Sequence, residues 1–134
     1  MKKLLFSNRP IATDLGLLLL RIAAGGFMAY SHGWGKFQKV LSGDMSFGDP
    51  IGVGEEASLV LTVFAEFFCG ILVVAGLFTR AALVPLIITM LVAVFIVHAH
   101  DPFSKQEFGL LFLIPYLTLF LTGPGKYSLD KQLG

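Results

Sequence analysis

Four stretches of the chain are almost free of charge: Ala12 to Ser31, Ser58 to Phe78, Ala81 to His98, and Phe103 to Thr122 beyond its first turn. A helix needs roughly 20 mostly apolar residues to cross a hydrocarbon core of about 30 Å. The pattern therefore predicts an all-α membrane protein, a four-transmembrane-helix bundle in one domain over residues 1–134. Only Thr79 and Arg80 separate the second and third stretches, which makes these two an antiparallel hairpin. Pro115, near the middle of the fourth, removes one backbone hydrogen bond and is expected to kink it. Gly123-Pro124-Gly125 ends it.

The longest connection, Gly33 to Ala57, has a pattern of its own. Trp34, Phe37, Val40 and Leu41 recur at helical spacing with Lys36, Gln38 and Lys39 between them. This predicts a short interfacial helix between spans one and two, with Trp34 at headgroup level. The turn-rich run Ser46 to Gly54 is expected to fold back over the outer end of the bundle.

Composition agrees with the pattern. Of the 134 residues, 55% are hydrophobic and 14% charged, with a mean hydropathy of +0.79, against about 25% charged in a soluble domain. A formal net charge of +1 provides no basic surface for nucleic acid. The single cysteine, Cys69, forms no internal disulfide and no Cys-x-x-Cys centre. Lys2 and Lys3 precede an apolar stretch, as in a signal peptide. Arg21 interrupts that stretch and no small-residue cleavage site comes after it, so it reads as a retained span. Six basic residues flank the spans on one side (Lys2, Lys3, Arg9, Arg80, Lys126, Lys131) and three on the other (Lys36, Lys39, Lys105), which predicts cytoplasmic termini.

Two ionisable residues lie well inside the spans, Arg21 and Glu66. Each costs about 2.5–3.5 kcal/mol to insert unless it has a partner, a watery cavity or a role. Counted from the cytoplasmic end, Arg21 lies about 13 Å deep and Glu66 about 18 Å, so an arginine side chain closes the gap. A buried Arg21–Glu66 ion pair is expected, and it either sets helix register or serves a site. Asp14, Arg21, Gly25, Met28 and His32 share one helical face, and Thr62, Glu66, Gly70 and Val73 form another. Small residues on both faces let backbones approach or leave room for a ligand.

Near the outer ends lie His32, His98, His100, Asp101 and Glu107. Their spacing matches no metal-ligand pattern, and no metal is expected. Ser104-x-x-Glu107 reads as a capping box for span four, His100 and Asp101 as solvated interfacial groups, and Asp14 as first-turn helix stabilisation. The phenylalanines of the spans read as lipid-facing or core packing.

Several motifs in order resemble the DoxX family: Leu20-Arg21-Ile22-Ala23-Ala24-Gly25, then His32-Gly33-Trp34-Gly35-Lys36, Glu66 with Gly70, Gly76 through Ala82, and Gly123 through Asp130. The resemblance covers nearly the whole chain. It implies a small bacterial inner-membrane protein, multi-pass, and transfers motif positions Arg21, His32, Lys36, Glu66 and Arg80. It further implies a link to quinone-dependent oxidoreduction through a redox-enzyme partner. Two functions are expected as alternatives. In the first, the chain is the membrane subunit of a quinone-linked redox system; a quinone enters between spans one and two, is bound by Arg21, Glu66, His32 and Lys36, and receives protons from Glu66 and His32. In the second, it is a non-catalytic scaffold or assembly factor for a partner protein. Homo-oligomerisation is compatible with both. Solute transport fits less well, since four spans without an inverted repeat do not suit it.

Overall fold

The computed structural model describes all 134 residues, which form helices and no strand. Four long helices succeed one another: α1 (Thr13–Ser42), α2 (Glu55–Ala75), α3 (Thr79–Val97) and α4 (Phe103–Thr122). Short helical turns, Lys2–Leu5 and Leu129–Leu133, lie near the two ends. The helices α1, α2 and α3 are long and apolar enough to cross a membrane. The fourth is a 20-residue helix over the residues expected, with Ser104, Lys105, Gln106 and Glu107 making its first turns polar. Each helix packs on the next in sequence and α4 returns to α1, closing an up-and-down bundle. Its core includes Met28, Val73, Leu83, Leu86 and Leu119, together with Tyr116, whose hydroxyl donates to the Ala24 carbonyl at 2.8 Å.

The segment Trp34–Ser42 is helical, but it is not a separate interfacial helix. It continues α1 without a break for 30 residues in all, about 45 Å, which overshoots a hydrocarbon core of about 30 Å. Phe37 of its apolar stripe faces protein, stacking on Phe67 of α2 with ring centroids 4.8 Å apart and meeting Phe68 edge-on, while Leu41 is exposed. The helix ends at Gly43, whose φ of +81° provides the left-handed cap.

Between α2 and α3 the turn is Gly76-Leu77-Phe78, and Thr79 and Arg80 already belong to α3. The helices α1 and α2 touch backbone to backbone. A Cβ on Gly25 would lie 2.7 Å from the Gly70 carbonyl oxygen, and one on Gly33 would lie 2.7 Å from the Phe67 nitrogen. The small residues of the two faces thus serve close packing.

Three of the helices widen into π turns: Met28–Gly33 in α1, Phe64–Cys69 in α2 and Ala93–Val97 in α3. In a π turn the hydrogen bond spans five residues, and the chain rotates less per residue than in an α-helix. Side chains beyond it leave the face that a 3.6-residue period assigns them.

Candidate functional site

The expected Arg21–Glu66 ion pair does not form. The two residues belong to separate polar centres at opposite ends of the bundle.

Arg21 is buried at the end that carries both termini. Its guanidinium donates to three backbone carbonyls: Pro124 at 2.8 Å, Tyr127 at 2.8 Å and Val74 at 3.1 Å. A helix C-terminus and an irregular turn leave carbonyls without donors, and the planar fork of an arginine can serve several at once. Asp130 completes this end. It accepts from the amides of Phe78 at 2.7 Å and Thr79 at 2.9 Å, and its own amide donates to the Gly76 carbonyl at 2.8 Å. Burial alone would raise the Asp130 carboxyl; the bonds from Thr79 and Phe78 and the charge of Arg21 outweigh it and hold it below the usual range. Gly76 has a φ of +68°, and a Cβ there would lie 2.5 Å from that of Ser128. Asp14 lies in the first turn of α1, as expected, and also accepts from the Lys126 amide at 2.9 Å. Arg80 donates to the Phe120 carbonyl at 3.0 Å. The run Gly123 to Asp130 is therefore a strap that ties α1, α2 and α3 together.

Glu66 pairs instead with Lys36, Nζ to Oε2 at 2.7 Å, and Lys36 also donates to the His32 carbonyl at 3.4 Å. The Glu66 side chain is 8% exposed and that of Lys36 25%. Both line a cavity of 490 Å³ together with His32. Neither ring nitrogen of His32 has a hydrogen-bond partner, and the ring is held edge-on between Phe108 and Phe112 of α4, at 5.4 and 5.8 Å. All three π turns contribute to the wall: Met28 and His32 from the first, Glu66 from the second, Ala93 and Val97 from the third. Single π turns recur at functional sites.

At the end of the bundle away from the termini, the loop after α1 folds back as expected and places Phe47 and Pro50 in the lining. Asp49 anchors it, accepting from the amides of Gly54 at 3.0 Å and Val53 at 2.9 Å and from the Ser58 hydroxyl at 3.1 Å. The bond from Gly54 is the largest of the causes that hold the Asp49 carboxyl below its usual range.

Of the outer polar residues, His98, Ser104 and Lys105 line the cavity, and His100 and Glu107 do not. Asp101 is not merely solvated, since its carboxylate meets His98 Nδ1 at 2.6 Å, a bond that lowers its pKa. No capping box forms. The N-cap of α4 is Pro102, and neither Ser104 nor Glu107 makes a capping bond. Gln106, which donates to the His98 carbonyl at 2.9 Å, ties the start of α4 to the end of α3 in its place. Entry between α1 and α2 is closed by the Gly25–Gly70 and Gly33–Phe67 approaches. Phe108 and Phe112 belong to the site although the sequence assigns them only to packing; their four-residue spacing on one face of α4 is the signal that could have placed them.

An all-helical membrane protein, with a largely apolar cavity bearing a few polar groups at one end of its bundle and a carbonyl-binding arginine at the other, is the class these features define. Residues 16–99 match the DoxX family model, and the chain belongs to the DoxX family. It is 34% identical over 118 residues to a Bacillus subtilis (strain 168) protein named "Putative oxidoreductase CatD", covering 87% of this chain and 86% of that one. It is 32% identical over 127 residues to the inner membrane protein YqjF of Escherichia coli (strain K12), covering 90% and 93%. No solved structure matches it.

Proposed function

We propose that the cavity holds the head of a quinone, and that the chain is the membrane subunit of a quinone-linked redox system, with four spans and both termini cytoplasmic. One observation carries the reading: the Lys36–Glu66 pair and the unpartnered ring of His32 face the same 490 Å³ space, otherwise lined largely by apolar side chains. That volume lies within the range of about 300–1,000 Å³ usual for small-molecule sites, and a few convergent polar groups in an apolar lining are their usual chemistry. The name of the Bacillus relative points the same way.

A bound quinone supplies the electron acceptor, taking two electrons and two protons at its carbonyl oxygens. The residues of this chain manage the protons and the position of the ring. Lys36 would hold the ring by donating to a carbonyl oxygen, its direction fixed by its contact with Glu66. Glu66 exchanges a proton at its carboxylate, and His32 offers a free ring nitrogen on the α4 side. Arg21 takes no part, because it lies at the other end of the bundle, where its two terminal nitrogens bond the carbonyls of Val74, Pro124 and Tyr127. The electrons come from a partner enzyme docked on the membrane protein.

The test is Glu66→Gln, which preserves size and hydrogen bonding but removes the titratable proton. Membranes carrying it are expected to retain bound quinone and lose quinone-dependent turnover, with His32→Gln showing a smaller loss of turnover. Unchanged turnover in Glu66→Gln, together with loss of the co-purifying partner, would replace this reading with that of a non-catalytic scaffold.

A further inference from the structure

A second cavity of 270 Å³ lies between α2 and α3 and shares Pro50, Thr62, Thr89 and Val92 with the first, so the two adjoin. Its outer part is formed by Leu61, Phe64 and Ile88, all exposed on the outside of the bundle. Three hydroxyls line it and each is already engaged. Ser58 donates to Asp49 at 3.1 Å, Thr62 to the Ser58 carbonyl at 2.7 Å and Thr89 to the Pro85 carbonyl at 2.7 Å. A groove whose hydroxyl donors are all engaged gains little from a polar guest and loses little to a hydrocarbon one.

From this we infer that the natural ligand is a tailed lipid, whose flat polar head sits at Lys36 and Glu66 and whose hydrocarbon tail leaves the protein sideways between α2 and α3. The inference rests on the quinone reading of the head site and narrows it to membrane-resident, long-tailed quinones. The other ways out of the head cavity are worse. Between α1 and α2 the backbones are in contact at Gly25 and Gly70. Between α1 and α4 a groove of 400 Å³ does reach His32, but there the imidazole is wedged against Phe108 and Phe112, and the three rings form a partition. Toward the end of the bundle away from the termini the wall includes Phe47 and Pro50 of the loop after α1. Along the line from Thr62 to Thr89 the two cavities share a wall, and this joins the polar space to the apolar surface at Leu61, Phe64 and Ile88.

The groove competes with lipid for the tail, so tail length alone gives little affinity, and the position of the tail is the better readout. The probe is a benzoquinone with a short isoprenoid tail carrying a photoreactive diazirine, added to the full chain in nanodiscs. Mass spectrometry of the labelled peptides is expected to place the tail on α2 and α3, around Leu61, Phe64 and Ile88. Excess unlabelled tailed quinone should displace it. Ile88→Trp, which fills the groove outside the head site, should cut labelling by about tenfold and leave the affinity of a tailless benzoquinone within about twofold. Labelling at Leu20 or Leu111 would place the tail in the α1–α4 groove and overturn the inference, as would label on α2 and α3 that excess quinone fails to displace. If neither tailed nor tailless quinone binds saturably, the redox reading fails and the tail path with it. If the tailless compound binds while Ile88→Trp leaves tail labelling unchanged, the tail path alone is wrong.

Discussion

At the scale of single residues, what matters is which charge meets which partner. Glu66 is nearly enclosed and its one ionic partner is Lys36, so Lys36→Met leaves a carboxylate in a poor dielectric. Because Lys36 keeps some solvent contact, the expected loss is about 1–3 kcal/mol, under the about 3–5 kcal/mol of a fully buried pair. A double-mutant cycle between Lys36→Met and Glu66→Gln, monitored by thermal unfolding in detergent, should give a coupling of about 0.5–3 kcal/mol. Arg21→Met combined with Glu66→Gln should be additive within about 0.5 kcal/mol. The opposite result, coupling between Arg21 and Glu66, would mean that the two polar centres communicate. Arg21, His32, Lys36 and Glu66 are all conspicuous in the sequence, as polar groups in or beside apolar helices. Their partners are not. The choice of Arg21 depends on backbone carbonyls at Val74, Pro124 and Tyr127, and a free carbonyl carries no side-chain signature.

At the scale of helices, the mistaken pairing of Arg21 with Glu66 has a geometrical root. The two spans are staggered, with Arg21 level with Val74 and Gly33 level with Glu66, about 12 Å further along α2; the π turn at Met28–Gly33 also adds a residue to the turn that carries His32. Nothing in the residues Met28 to Gly33 announces that extra residue, whereas the apolar lengths of the helices and the glycine-rich faces of α1 and α2 are readable from composition alone. The cost of disturbing this contact is measurable. Gly33→Ala would push a methyl group to within 2.7–2.9 Å of the backbone of Glu66 and Phe67, and backbone yields poorly. The variant is expected to lose about 1–3 kcal/mol of stability and to weaken quinone binding, because it moves α1 against the turn that bears Glu66. Gly35→Ala, which meets no atom within 4 Å, is the control and should behave as wild type in both assays.

At the scale of the whole molecule, the two polar centres divide the bundle into an end that is held together and an end that is hollow. Their assignment to the two sides of the membrane rests on the distribution of lysine and arginine and can be tested directly. In a Cys69→Ala background, a cysteine at Ser46 should react with an impermeant thiol reagent added to intact cells, and a cysteine at Gln132 should not. The reverse pattern would put the cavity mouth in the cytoplasm. The all-helical class and the family are legible from the chain, because apolar length and motif order survive without three-dimensional information. The strap is not, since Gly123 to Asp130 reads only as a helix stop until its contacts are seen. Those contacts also impose an order on biosynthesis. Arg21 is made 53 residues before the Val74 carbonyl, 103 before that of Pro124 and 106 before that of Tyr127. While the chain is still emerging, α1 therefore presents an unneutralised guanidinium, which bare lipid resists. Pairing with α2 can satisfy one of its bonds early, but the rest wait for Pro124 and Tyr127 to be synthesised. The first helix acquires its final environment only once the strap from Gly123 to Asp130 has been made, so a segment more than a hundred residues away completes the surroundings of α1.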